Sequence, residues 1–231
     1  MNTKKHIGIV MSGGKGLRIG GDIPKQYMDL AGKPVLYYSL KAMQDSFIDE
    51  IIIVAAKEYI DYVKEEIVDR FSFTKVTAVV EGGEERSDSV YNGLMAIKEP
   101  ETSYVYIQDG ARPLLSVEML EASREDASVY GSSVMAVPAK DTIKVVNDNG
   151  FVVTTPDRKH LWNVQTPQTF FCSDLIRAYC IFRKTEGAFV TDDASVMEQF
   201  GDIPVHITKG DYCNIKITTP EDFETAERFL K

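Results

Sequence analysis

Residues 11–27 read MSGGKGLRIGGDIPKQY, with five glycines and the cations Lys15, Arg18 and Lys25 directly after a short apolar run. These residue types in one loop can hold an anion. Glycine lets backbone N–H groups close around a ligand, and the side chains add positive charge. Gly13, Gly14 and Gly16 would form the cradle, and Pro24 stiffens its exit. Neither common phosphate fingerprint fits. No Gly-Lys-Ser/Thr follows at the Walker offset, and the third glycine of Gly-x-Gly-x-x-Gly would fall at Ile19.

Two further stretches carry candidate chemistry. IQDGARP (107–113) places Asp109 at the end of an apolar run, where a carboxylate can hold a divalent metal against phosphates, with Arg112 three residues on. EGGEERSDSV (81–90) has two glycines before a serine-initiated helix, whose amides and hydroxyls can read a base edge. The plainer alternatives are a mobile loop, a turn-capping aspartate and an ordinary capped helix. There is no Gly-x-Ser-x-Gly elbow and no histidine at the carboxyl end of an expected strand, where catalytic groups would sit, which argues against acyl transfer. Cations, one metal-type carboxylate and no evident base suit phosphoryl or nucleotidyl transfer, where the protein positions groups and neutralises charge.

These groups need a frame. Extended segments are expected at 6–11, 50–55, 75–80, 103–107, 133–137 and 205–209. Helices are expected at 34–44, 59–71, 87–97, 117–130, 173–184, 192–200 and 220–230. Strands alternating with helices in this way predict an α/β fold: one domain spanning residues 1–231 around a doubly wound, mostly parallel sheet. Residues 139–163 break the rhythm. Two polar extended segments flank Asn147-Asp148-Asn149-Gly150, which predicts a β-hairpin arm projecting from that domain.

Composition narrows the class. A net charge of −9 argues against a general nucleic-acid binder. No apolar run approaches the roughly 20 residues of a membrane helix, and nothing resembles an export signal. The cytosol is therefore the expected location. Three cysteines without Cys-x-x-Cys spacing suggest reduced structural thiols.

The glycine loop with its PKQY ending, ERSDSV, DGARP, KDT, TPDRKHLWNVQTPQTF, TDDAS and NIKITTPED occur in this order along the chain. Together they resemble the methylerythritol-phosphate cytidylyltransferase family of the non-mevalonate isoprenoid pathway, from the first strand to the last helix. The resemblance implies a Rossmann-like enzyme with a hooked arm, a homodimer whose arms interlock, the substrates CTP and a polyol phosphate, magnesium, and release of pyrophosphate. Arg18 and Lys25 match the pair that grips the triphosphate, Lys216 the lysine near the α-phosphate, and Asp109 the metal-binding acid. Gly83 and Ser89 match positions that read cytosine. Arg112, Thr142 and Arg158 match sugar-phosphate contacts, the last two reaching a neighbouring subunit's site. Some relatives carry an acid immediately before NIK, where this chain has Cys213; Asp211 is the candidate substitute. Ribitol-phosphate cytidylyltransferases resemble the chain in the loop, GARP and NIKITTP, but TDDAS and DRKHLW favour the methylerythritol-phosphate enzymes. A non-catalytic nucleotide-binding module is the alternative of another class, against which Asp109, Lys25 and Lys216 together argue.

Overall fold

Side chains on a strand point alternately to opposite faces, and this chain uses that alternation to feed two cores at once. The computed structural model describes residues 4–14 and 23–230. In β1 (Lys5–Ser12), Ile7 and Ile9 enter one core and Val10 the other. A short hairpin of β2 (Asp29–Leu30) and β3 (Lys33–Pro34) leads into α1 (Val35–Gln44). β4 (Glu50–Ala55) splits Ile52 and Val54 from Ile51 and Ile53 in the same way.

The expected helix at 59–71 holds α-geometry only over α2 (Ile60–Tyr62). It continues through Val63–Asp69 as a wider π-helix whose buried Val63 and Ile67 face the second core. β5 (Val76–Glu81) precedes α3 (Arg86–Met95), which is capped by Glu85 and Asp88 in a reciprocal box rather than by the serine. β6 (Ser103–Asp109) is buried along its whole length, and α4 (Val117–Tyr130) follows. Next come β7 (Ser132–Pro138), the exposed ladder of β8 (Val145–Val146) and β9 (Val152–Thr154), and β10 (Trp162–Phe171). The chain closes with α5 (Cys172–Phe182), α6 (Asp193–Phe200), β11 (Ile207–Lys209) and α7 (Pro220–Leu230).

Seven strands form the main sheet in the order β11-β7-β10-β6-β1-β4-β5. All but β10 run parallel, and β10 is antiparallel to both its neighbours. Helices α3, α5 and α6 cover one face, while α1, α4 and the 60–69 helix cover the other. This is the expected doubly wound, Rossmann-like α/β fold.

No strand was expected at 162–171. Its centre reads Gln165-Thr166-Pro167-Gln168-Thr169, polar and interrupted by a proline, which ordinarily argues against a central strand. Two features reconcile this. The ladder to β7 shifts register between Val164 and Gln168, so the proline sits where pairing lapses. The buried polar groups find partners inside: Gln168 bonds Asp192 and the Ala194 amide, and Thr169 bonds Ser123.

Candidate active site

After β5 the chain returns to the other side of β1 as β6, so β1 and β6 meet where the winding reverses. In open α/β sheets that crevice, beyond the carboxyl ends of the strands, takes ligands. A cleft of about 1030 Å³ opens there, lined by the ends of β1, β5 and β6 together with Lys25, Arg86, Ser89 and Lys216. Gly110 lets the strands close on each other. A Cβ there would stand 2.8 Å from the Met11 carbonyl and 2.9 Å from Leu36 Cδ1.

Asp109 sits on the cleft floor at the last position of β6. Lys216 Nζ lies 2.9 Å and Arg112 Nε 3.4 Å from its Oδ2, while Arg86 Nε faces Oδ1 at 3.9 Å. Burial would raise the carboxyl, but Lys216, Arg86 and Arg112 overcome that and hold it at about 2. The backbone N–H of Asp109 donates to Thr166 Oγ1 at 3.1 Å, so β10 fixes the carboxylate's place. Lys216 reaches it because the Ile217 amide bonds the Ala111 carbonyl at 2.9 Å.

The glycine loop is anchored at its described ends. Gln26 Nε2 donates to the carbonyls of Ser12 at 2.7 Å and Gly14 at 2.9 Å, and Ser12 Oγ donates to Tyr27 Oη at 2.9 Å. Gln26 and Tyr27 are buried, and burial pushes the Tyr27 hydroxyl up to about 12. The clamp thus joins the end of β1 to the segment carrying Lys25. Gly13, Gly14 and Lys25 line the cleft; Gly16 and Arg18 lie outside the described residues.

On the far wall, Ser89 Oγ accepts the Gly83 N–H at 2.9 Å and donates to the Glu85 carbonyl at 3.1 Å. Ser89 therefore shapes the Gly82-Gly83 turn from inside α3. A Cβ on Gly83 would lie 2.2 Å from Asp88 Cβ and 3.1 Å from its backbone carbon, so the turn must move to admit one. If this turn borders the CTP that the resemblance implies, Gly83→Ala is expected to lower kcat/KM for CTP by about 10²-fold, the scale of a 1 Å misplacement. An unchanged kcat/KM would remove this wall from the nucleotide's surroundings.

The remaining candidates stand elsewhere. Arg112 is 9% exposed; its Nη1 donates to the Asn214 carbonyl at 2.7 Å, which ties the end of β6 to the segment bearing Lys216. Thr142 and Arg158 lie on the exposed arm, and Arg158 Nη1 bonds the Lys140 carbonyl at 2.7 Å across its two legs. The Asp211 carboxylate accepts the Cys213 N–H at 2.7 Å and so holds a turn; Asp211 does not line the cleft.

Sequence reasoning passed over Gln26, Tyr27, Arg86 and Asp193. Two signals were present: the KQY after the loop's proline, and the buried acid of TDDAS. Only contacts across the fold assign them. Arg86 Nη2 meets Asp193 Oδ2 at 2.7 Å over a separation of 107 residues.

Comparison with known proteins agrees with this geometry. The family model described as "IspD: 2-C-methyl-D-erythritol 4-phosphate cytidylyltransferase" matches residues 7–231. A protein of that name from Lachnospira eligens is 49% identical over 233 residues, covering all of both chains. The crystal structure of 4-diphosphocytidyl-2C-methyl-D-erythritol synthase from Anaerococcus prevotii superposes with a TM-score of 0.86 at 32% identity, covering 99% of each chain. The Francisella tularensis cytidylyltransferase superposes with a TM-score of 0.80 at 31% identity, covering 97% of this chain and 99% of that one. A cleft at the β1/β6 switch point, an acid balanced among three cations and a match from the first strand to the chain's end place this chain in the 2-C-methyl-D-erythritol 4-phosphate cytidylyltransferase family.

Proposed function

We propose that this protein transfers CMP from CTP to 2-C-methyl-D-erythritol 4-phosphate and releases pyrophosphate. The observation that carries the reading is Asp109 at the cleft floor, bracketed by Lys216, Arg112 and Arg86, in a cleft that Gly13, Gly14 and Lys25 also line. A phosphate oxygen of the polyol phosphate attacks the α-phosphorus of CTP, and the bond from that phosphorus to the β-bridging oxygen breaks. No base is required. The second pKa of a phosphate monoester is about 6, so the nucleophile is largely deprotonated at neutral pH. The difficulty is bringing two anions together, and fixed cations answer it.

Lys25 and Arg18 would grip the triphosphate. Lys216, whose side chain is 40% exposed, would face the α-phosphate. Gly83 and Ser89 would present the turn that reads cytosine. Thr142 and Arg158 would contact the polyol phosphate from a neighbouring chain's arm in a homodimer, with Arg112 bracing the floor beneath.

Magnesium fits the donor set. Asp109 offers one buried carboxylate, and the described residues contain no cluster of three or more His, Cys, Asp or Glu. One protein carboxylate plus substrate phosphates is a usual way to hold this cation. Asp109 would be its protein ligand, and the ion would neutralise charge on the triphosphate.

The test is pyrophosphate release from CTP against a panel of polyol phosphates. Methylerythritol phosphate is expected to support turnover at least about 10²-fold better than ribitol phosphate, because a site built to bond hydroxyls rejects a mismatched partner strongly. Equal or better use of ribitol phosphate would transfer the assignment to that substrate. No turnover with any acceptor would favour a binding module. Among the described residues, no helix is long and apolar enough to cross a membrane.

A further inference from the structure

Asp193 is fully buried, yet it opens α6 rather than lining the cleft. A buried carboxylate is costly unless each oxygen is paired, and here each is. Oδ1 accepts the Tyr179 hydroxyl at 2.6 Å, and Oδ2 accepts Arg86 Nη2 at 2.7 Å. Arg86 is the first residue of α3, three residues after Gly83, and it lines the cleft. Its Nε stands 3.9 Å from Asp109 Oδ1, whereas Lys216 and Arg112 both approach Oδ2. Arg86 is therefore the cation between two carboxylates, close on the buried one and held off the one on the cleft floor.

We infer that Asp193, supported by Tyr179, is a positioning residue that draws Arg86 back and keeps Asp109 Oδ1 open to the nucleotide cleft. The geometry gives each partner a part. The rigid fork of the guanidinium can bond a carboxylate at close range on one edge. With Asp193 charged, that edge points away from the cleft. Without the charge, the nearest carboxylate is Asp109, and closing 3.9 Å to a full ion pair would cover the one oxygen that Lys216 and Arg112 leave free. Tyr179 belongs to α5, so α3, α5 and α6 all meet at this one carboxylate. The inference rests on CTP occupying this cleft.

The experiment is a cycle of Asp193→Asn, Arg86→Gln and the double variant, with Tyr179→Phe as a milder probe. Each is read by the Kd for CTP with magnesium in equilibrium dialysis, by kcat and KM, and by Tm. Asp193→Asn is expected to weaken CTP binding by about 10–100-fold, the range for partners that orient a ligating group. The KM for the polyol phosphate should move little. Tyr179→Phe keeps the ring in the core and should weaken CTP binding by up to about tenfold, the value of one hydrogen bond to a charged group. In the Arg86→Gln background, Asp193→Asn should have no further effect on Kd, because the cation it restrains is gone. Additive losses would mean that Asp193 serves stability alone and would overturn the inference, as would unchanged CTP binding in both Asp193→Asn and Tyr179→Phe. Failure of the unmodified protein to bind CTP would instead overturn the reading of the cleft.

Discussion

Asp109→Asn is expected to lower pyrophosphate release by about 10³-fold, the upper range for one preorganised electrostatic contact, while CTP still binds in EDTA. The substitution keeps size and shape. It leaves the backbone bond to Thr166 intact and removes one charge from a floor that balances Lys216, Arg112 and Arg86. Those cations are then unopposed, so metal-free CTP should bind at least as well as to wild type. The metal-dependent rate should disappear, and excess magnesium should restore little of it. Because the carboxyl is held at about 2 by these neighbours, below its ordinary value, Asp109 stays ionised throughout the usual assay range. Lowering the pH toward 5 therefore cannot imitate the variant. Wild-type activity that persists in EDTA, or near-normal turnover in Asp109→Asn, would sink the assignment.

Mixing two inactive variants is expected to restore activity. Residues 140–155 are exposed throughout, and the β8–β9 ladder is a separate two-stranded sheet. A two-stranded hairpin is marginal alone, yet this one displays Phe151 at 71% and Val153 at 66% exposure. Such an apolar surface calls for a covering partner, and a second copy of the chain supplies one if the arms cross. Combine Asp109→Asn chains, whose arms are intact, with Arg158→Ala chains, whose clefts are intact. In a mixed dimer with crossed arms, one site then carries both defects and the other neither. After subunit exchange about a quarter of sites should be active, from statistical pairing in a twofold dimer. If each arm serves its own chain, every site keeps one defect and the mixture stays inactive. A monomer at assay concentration would also end the crossed-arm proposal.

Much of the frame was legible in the sequence because short-range physics writes it there. The β-branched run at 50–55 and the apolar run before the glycine loop can be buried on both faces only in a covered parallel sheet. That placed the glycine loop, Gly83 and Asp109 at strand ends. The helix expected at 192–200, which the fold begins at Asp193 with Asp192 as its cap, and the Asn147–Gly150 turn were equally plain, since helix starts and turns depend on neighbours a few residues away.

The illegible parts all depend on distant partners. β10 reads as polar loop until α4 and α6 supply hydrogen bonds for Thr169 and Gln168. The resemblance makes Asp211 a candidate metal ligand, but in the fold its carboxylate accepts the Cys213 N–H. Nothing local marks Gln26, yet it bonds the Ser12 and Gly14 carbonyls and so ties the segment bearing Lys25 to the end of β1. Taken alone, the sequence determined the fold class, the family and which candidate residues stand at strand ends, because periodicity, turn residues and motif order are local properties. Only the tertiary structure decided which charges share the cleft floor. Arg86, Asp109 and Lys216 come from three separate segments, with Asp193 behind Arg86 from a fourth, and the strength of a buried charge pair depends on distance and burial, which spacing along the chain does not encode.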